Sequence, residues 1–248
     1  MGARRACERL IEEGRVVVNG SRVRELPVFV GPEDQIEVDG RPIQSAERLI
    51  YVMLNKPTRT LTTRSDEPGA DRRTVADLVD HPASSRLFPV GRLDYDTTGL
   101  VIMTNDGALA HRLTHPRYGV PKTYRAVVRG LLDDENVREL EQGIYLAERR
   151  EGKTVGAKKT AQVEISVHRR DRDRTTIDIT LREGRNRQVR RMLASVNCPV
   201  KKLERIAMGP VRLKGLARGE WRELERDEIR ALRKAVAIDQ KRSRGPRT

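Results

Sequence analysis

The first forty-five residues carry short-range periodicity. Cys7, Leu10 and Ile11 share one helical face within residues 5–13, and Gly14 stands where a C-terminal cap belongs. Residues 15–18 then read as a strand, Asn19-Gly20 as a two-residue hairpin turn, 21–23 as the return strand and 35–38 as a further strand. The pattern predicts a small helix-plus-hairpin module over 1–45, with 40–46 as its exit.

From Ile50 the elements lengthen. Residues 50–55, 99–104 and 124–128 are apolar enough for buried strands, whereas 74–79, 107–113 and 134–142 have helical spacing. Val163, Ile165, Val167 and then Ile177, Ile179, Leu181 alternate strictly around the charged segment 169–174, the signature of an antiparallel hairpin with one wet face. Residues 221–224 predict a last strand, and 227–237 a closing helix. The expected class is α+β: a mixed, largely antiparallel sheet flanked by helices, with a small N-terminal module. The expected division is 1–45, 46–238, and a basic disordered tail over 239–248.

Charge narrows the function. Fifty Lys and Arg face 36 Asp and Glu, a net +14, which favours a polyanionic partner over a small acidic metabolite. Within the module the charge is lopsided, with six Arg against three Glu before residue 25 and one Arg against five acids over 25–45. No apolar run approaches the roughly 20 residues needed to span a bilayer, and no hydrophobic signal segment follows Met1, so a cytoplasmic protein without membrane attachment is expected. Aromatic residues are only 3%, too few for RNA binding by stacking alone, so charge must supply most of the affinity.

Several familiar sites fail on inspection. Two cysteines make neither a disulfide framework nor a zinc set. Gly152-Lys153-Thr154 lacks the first glycine of a phosphate loop, because Ala147 stands there. His111 and His115 have metal-ligand spacing, yet Arg112 occupies the glutamate position of a metalloprotease and no third ligand is near, so no metal is expected.

Two segments carry a chemical signal. Gly91-Arg92-Leu93-Asp94-Tyr95-Asp96-Thr97-Thr98 is a polar turn leading into a buried strand, where side chains are held on a rigid scaffold. Asp94 and Asp96 read either as turn-forming carboxylates or as chemical groups; two residues apart in one turn, they would sit side by side rather than flank a sugar as an acid/base pair does. The second segment is Glu183-Gly184-Arg185-Asn186-Arg187-Gln188-Val189-Arg190-Arg191-Met192. A helix starting near Arg187 buries Val189, Met192, Leu193 and Val196, and directs Arg187 and Arg191 to solvent. Arg190 lies only about 110° from that stripe and can turn toward a loop carboxylate, supplying the counter-charge of an ionised nucleophile or base. Tyr124, in Lys122-Thr123-Tyr124, reads equally as strand core or as a site residue.

Together these motifs resemble the RsuA/RluB-type pseudouridine synthases. Leu54-Asn55-Lys56-Pro57, Thr104-Asn105-Asp106-Gly107 and Gly219-Glu220-Trp221-Arg222-Glu223-Leu224 extend the resemblance in order from about residue 50 to 238. Residues 1–45 are similar to the RNA-binding domain named after ribosomal small-subunit protein four. The resemblance implies a further helix ahead of residue 4, so either the module lacks its first helix or the start at Met1 is internal.

Carried over, the resemblance implies a pseudouridine synthase fold with Asp94 as catalytic aspartate, Tyr124 against the target base and Arg190 paired with the aspartate. It implies neither metal nor organic cofactor. The RluB-like group, which modifies large-subunit ribosomal RNA, is the most similar. The partner is then ribosomal RNA or a ribosomal precursor particle, and a monomer is expected. Arg4, Arg5 and Arg15 in the module, with Arg92, Arg185, Arg187 and Arg191 beside the motifs, are the candidate phosphate contacts. The alternatives are a ribosome-assembly or RNA-binding protein using the domain as a scaffold, and a DNA-binding regulator. The regulator needs a recognition helix that the sequence does not offer.

Overall fold

The computed structural model describes residues 4–31, 34–43, 48–67, 69–150 and 153–242. Contacts divide the chain into two units between Leu49 and Ile50. In the first, α1 (Arg4–Glu12) stops at Gly14, whose positive φ lets the amides of Gly14 and Arg15 reach back to the carbonyls of Ile11 and Leu10. Strands β1 (Val16–Val18) and β2 (Ser21–Val23) pair so that only Asn19 and Gly20 connect them, both at positive φ as a type I′ turn requires. Strands β3 (Ile36–Val38) and β4 (Arg41–Pro42) complete a sheet of order β2-β1-β3-β4.

In the second unit, β5 (Tyr51–Lys56), β6 (Phe88–Pro89) and β7 (Thr98–Thr104) precede α2 (Gly107–Thr114). Strand β8 (Lys122–Arg129), α3 (Asp134–Gln142) and the ribbon of β9 (Tyr145–Arg150) and β10 (Lys153–Lys159) follow. The hairpin of β11 (Glu164–Arg170) and β12 (Arg174–Leu181) then leads to α4 (Gln188–Ser195). The remainder is β13 (Val200–Met208), β14 (Val211–Arg212), β15 (Trp221–Glu223) and α5 (Arg226–Arg242). The main sheet runs β11-β12-β8-β13-β7-β5-β15, with β14 beside β13 and β6 beside β7. The class is α+β, as the alternation predicts, and α2 is capped by the Asp106 carboxylate, which accepts from the Leu109 amide.

The sheet is two antiparallel halves joined by one parallel contact. Strand β13 meets β7 over only two residue pairs, Glu204 with Thr98 and Arg205 with Gly99. Gly99 has φ +104, and a Cβ there would stand 2.3 Å from the Arg205 carbonyl oxygen, so only glycine permits the approach. On one half, Ala126, Val128, Ile177 and Ile179 pack under Val189, Met192 and Leu193 of α4. On the other, Val52, Leu54, Val101 and Met103 pack under Val75, Leu78 and Leu87, while Met53, Leu100 and Ile102 face Leu113 of α2 and Leu232 of α5.

Two expectations need correction, and several strands had not been expected. Residues 74–79 bury Val75, Leu78 and Val79 but form no helix: the Asp77 carboxylate accepts from the Thr74 amide to close one turn, and Pro82 follows too soon for a second. Helix α5 extends to Arg242, past the expected end, because no Gly or Pro interrupts 226–242; residues 243–248 of the expected tail lie outside the described residues. Strands β9, β10, β13 and β14 had no clear hydrophobic alternation to reveal them. Among the described residues no helix is long and apolar enough to cross a membrane.

The junction gives a stability prediction. Gly99→Ala should lower the unfolding free energy by at least about 1–3 kcal/mol through overpacking, read as a shifted denaturant midpoint, whereas Gly107→Ala, at a helix start with open space around it, should change little. Equal midpoints for the two would show that the β7–β13 approach is not tight.

Candidate active site

A cleft of about 170 Å³ opens at the seam between the half-sheets, lined by the 91–97 loop, β8, the 183–190 segment and β13. The loop joins β6 to β7, which pair through Phe88 with Thr104 and Pro89 with Met103. It is fixed from beneath. The Thr62 hydroxyl donates to the Leu93 carbonyl at 2.8 Å and accepts from the Leu93 amide at 3.2 Å. Lys56, with no exposed surface, donates its ammonium to the carbonyls of Pro57, Tyr95 and Thr97. Burial pushes that ammonium down to about 8, against the pull of Asp96 and Asp94.

So held, Asp94 presents its carboxylate to two arginines. Arg187 Nη1 donates to Asp94 Oδ2 at 3.4 Å, and Arg190 Nε lies 3.8 Å from the same oxygen. Arg190 Nη2 donates to Thr97 Oγ1 at 3.3 Å, while its buried Nε has no hydrogen-bond partner. Burial, then the Arg187 charge, lowers the Arg190 pKa from its ordinary value; Asp94 and Asp96 oppose that shift. Arg187 stays exposed, as expected, yet its guanidinium also reaches Asp94. It is the N-cap of α4 with φ +47, and this left-handed turn carries its guanidinium back to Asp94.

The structure brings Asp94, Tyr124 and Arg190 to one cleft. Tyr124 packs against the apolar clusters of both half-sheets, so its ring stands at the seam. Arg92 is exposed at the cleft, and Asp96 is exposed on the same loop. Arg185 has another use: its guanidinium donates to the carbonyls of Lys158 and Lys159 and to Glu183. Arg191 likewise donates to the Ala147 carbonyl, so both arginines tie the β9–β10 ribbon to the 183–191 segment. Arg4 begins α1, Arg5 is exposed, and Arg15 is held by Asp39 at 2.7 Å and Glu13 at 3.1 Å.

Three basic residues of the site escaped the sequence reading: Lys56, Lys122 and Arg205. Lys122 lines the cleft two residues before Tyr124, on the same strand face. Arg205 is 1% exposed; its Nε donates to the Leu100 carbonyl at 2.7 Å, and its Nη2 has no partner.

With this geometry in view, residues 50–195 match the RNA pseudouridylate synthase family and residues 1–36 match the S4 domain. The chain belongs to the RNA pseudouridylate synthase family. The synthase is 45% identical over 96% of its length to an uncharacterized RNA pseudouridine synthase of Aquifex aeolicus, covering 91% of that protein. It is 42% identical over 94% of its length to the ribosomal large subunit pseudouridine synthase B of Bacillus subtilis, again covering 91%. A crystal structure of a pseudouridylate synthase superposes with TM-score 0.65 at 29% identity, covering 93% of this chain and 94% of that one. The synthase is therefore an isomerase, and its fold is the pseudouridine synthase fold.

The partly buried Lys122 in the cleft has a measurable signature. Burial, and secondarily the Arg205 charge, pushes Lys122 down from 10.5 to about 8. Between those values the unfolded chain binds more protons than the folded one, so the Lys122 contribution to stability rises with pH. The urea midpoint of the parent should gain on that of Lys122→Met from pH 8 to pH 10. A constant difference would show that the folded protein leaves the ammonium in water.

Proposed function

We propose that this synthase isomerises a specific uridine of ribosomal RNA, in the large subunit, with Asp94 as the catalytic carboxylate. The observation that carries the reading is the convergence of Asp94, Tyr124 and Arg190 on one cleft, with the Asp94 carboxylate faced by Arg187 and Arg190. The large-subunit target is supported by the 42% identity to the Bacillus subtilis protein of that name.

The chemistry fits these side chains. The target uridine leaves its stack and enters the cleft. The bond between base nitrogen and sugar breaks while the Asp94 carboxylate either attacks the sugar carbon or removes a sugar proton; the base turns, and ring carbon 5 bonds the sugar. The proton lost from carbon 5 is balanced by one gained at nitrogen, so neither an electron donor nor a group donor is consumed. Arg187 and Arg190 hold the carboxylate in place, and the Tyr124 ring offers a face to the detached base. Residues 1–45, with Arg4, Arg5 and Arg15, would supply RNA phosphate contacts, and residues 46–238 the catalytic unit, with Arg92 at its mouth.

The decisive experiment maps pseudouridine across ribosomal RNA in cells with and without the gene, complemented by variants. Loss of one large-subunit pseudouridine, restored by the parent and by Asp96→Asn but not by Asp94→Asn, is expected. An unchanged map would favour a scaffold role in ribosome assembly, and restoration by Asp94→Asn would remove that residue from the chemistry.

Tyr124 can be assigned separately. Tyr124→Phe keeps the stacking face, worth about 1–3 kcal/mol per base, whereas Tyr124→Leu removes it. Binding of target RNA should survive in Phe and weaken roughly 5- to 150-fold in Leu. Retained binding with lost turnover in Phe would give the phenol a proton-transfer role, and native behaviour of both variants would return Tyr124 to the core.

A further inference from the structure

Beside Tyr124 the cleft holds two cations with no carboxylate within 4.0 Å of either, among the described residues. Arg205 lies directly across from Tyr124 in the β8–β13 register, and Lys122 precedes Tyr124 by two residues. The alternation of side chains along paired strands puts all three on one face of the sheet. Lys122 Nζ donates to the Val120 carbonyl at 3.1 Å, and Arg205 Nε to that of Leu100. Among the described residues neither cation has an ion-pair partner within 4.0 Å, in a chain where most cleft arginines do. Two like charges brought together under a sheet surface are mutually unfavourable, and an anion arriving above them relieves that repulsion.

Resting on the function proposed above, we infer that Lys122 and Arg205 form an anion hole for the uracil while it is detached from the sugar. When the nitrogen–carbon bond breaks, the electron pair leaves with the base, whose negative charge spreads over the ring nitrogen and the two carbonyl oxygens. The sugar carbon is meanwhile taken up by the Asp94 carboxylate, or loses a neighbouring proton to it. Both routes release the same anion. Reattachment consumes it, as the pair on carbon 5 forms the new bond and the Asp94 step reverses. Lys122 and Arg205 are donors only, so they suit the two carbonyl oxygens of uracil and oppose the amino group of cytosine. Placed beside Tyr124 in the cleft, they act on charge that develops only after bond cleavage, where preorganised donors have their greatest effect on rate.

The charged groups around Lys122 are Arg92 and Asp94 on the loop, Glu183 and the arginines at 185, 187 and 190, and Arg205 on β13. Burial is the main cause that lowers Lys122 to about 8, and of these charges Arg205 adds to it. The single-turnover rate on target RNA should therefore fall as pH rises through about 8 in the parent.

The test compares single turnover, RNA affinity and binding of barbiturate, a stable anionic pyrimidine, in the parent, Lys122→Met and Lys122→Arg. Melting curves confirm that each variant folds. Lys122→Met should lose about 100-fold in single-turnover rate, the effect of removing one donor from an anion hole, with RNA affinity within roughly threefold of the parent. It should also bind barbiturate more weakly. Lys122→Arg should restore part of the rate without the fall near pH 8. Parent-like turnover or barbiturate binding in Lys122→Met, with the parent active, would overturn the anion hole alone. An inactive parent would instead overturn the proposed function, and the barbiturate comparison would still decide whether the cations bind an anionic pyrimidine.

Discussion

The approach of Gly99 to the backbone of Arg205 is the constraint on which the rest of the second unit depends. Two antiparallel half-sheets, each with its own apolar cluster, meet along a parallel contact of two residue pairs. So short a seam leaves the strand ends on either side free to diverge, and the cleft opens where they do. Asp94 belongs to the loop entering β7 on one side, and Tyr124 to β8 on the other. Arg205 stitches the two, its backbone against Gly99 and its guanidinium on the Leu100 carbonyl.

Charge in this region is organised in two tiers. Near the opening, Arg187 and Arg190 face Asp94, and each carries a contact to the loop that holds it. Deeper down, Lys56, Lys122 and Arg205 are held by backbone carbonyls instead of acids. Carbonyl dipoles hold a cation in position while leaving its net charge intact, which a carboxylate would cancel. Lys56 uses that arrangement to fix the loop from below, where an acid would compete with Asp94 for the arginines.

The legible parts of the sequence were those whose inward positions are apolar. The strict alternation of Ile177, Ile179 and Leu181, the stripe of Val189, Met192 and Leu193, and the Asn19-Gly20 turn all translate into the elements they predict. Strand β13 was hidden because its inward series is Leu203, Arg205, Ala207, in which a buried arginine breaks the alternation. The same feature concealed Lys122 as a site residue. A helical wheel left Arg187 exposed, as it is, but missed its contact with Asp94, since the wheel assumes helical backbone and this residue adopts the left-handed conformation. Among the described residues the β9–β10 ribbon pairs as a two-stranded sheet of its own and sends Leu146 alone into the core, too little to show as an alternation. Sequence reasoning thus lost its grip where polar side chains turn inward, and that is where the candidate chemistry lies.

The strand order also governs when the site comes into being. Strands β7 and β8 are close in sequence, yet β13 lies between them, and its residues are made some seventy positions after β8 ends. During synthesis from the N-terminus, the first two carry unpaired edges on the sides that β13 will occupy. Contacts of such long sequence separation form slowly, so a nascent chain holds Asp94 and Tyr124 on halves not yet joined. Insertion of the central strand closes both edges and assembles the cleft in the same event, which ties completion of the candidate site to a long-range step made late in the chain.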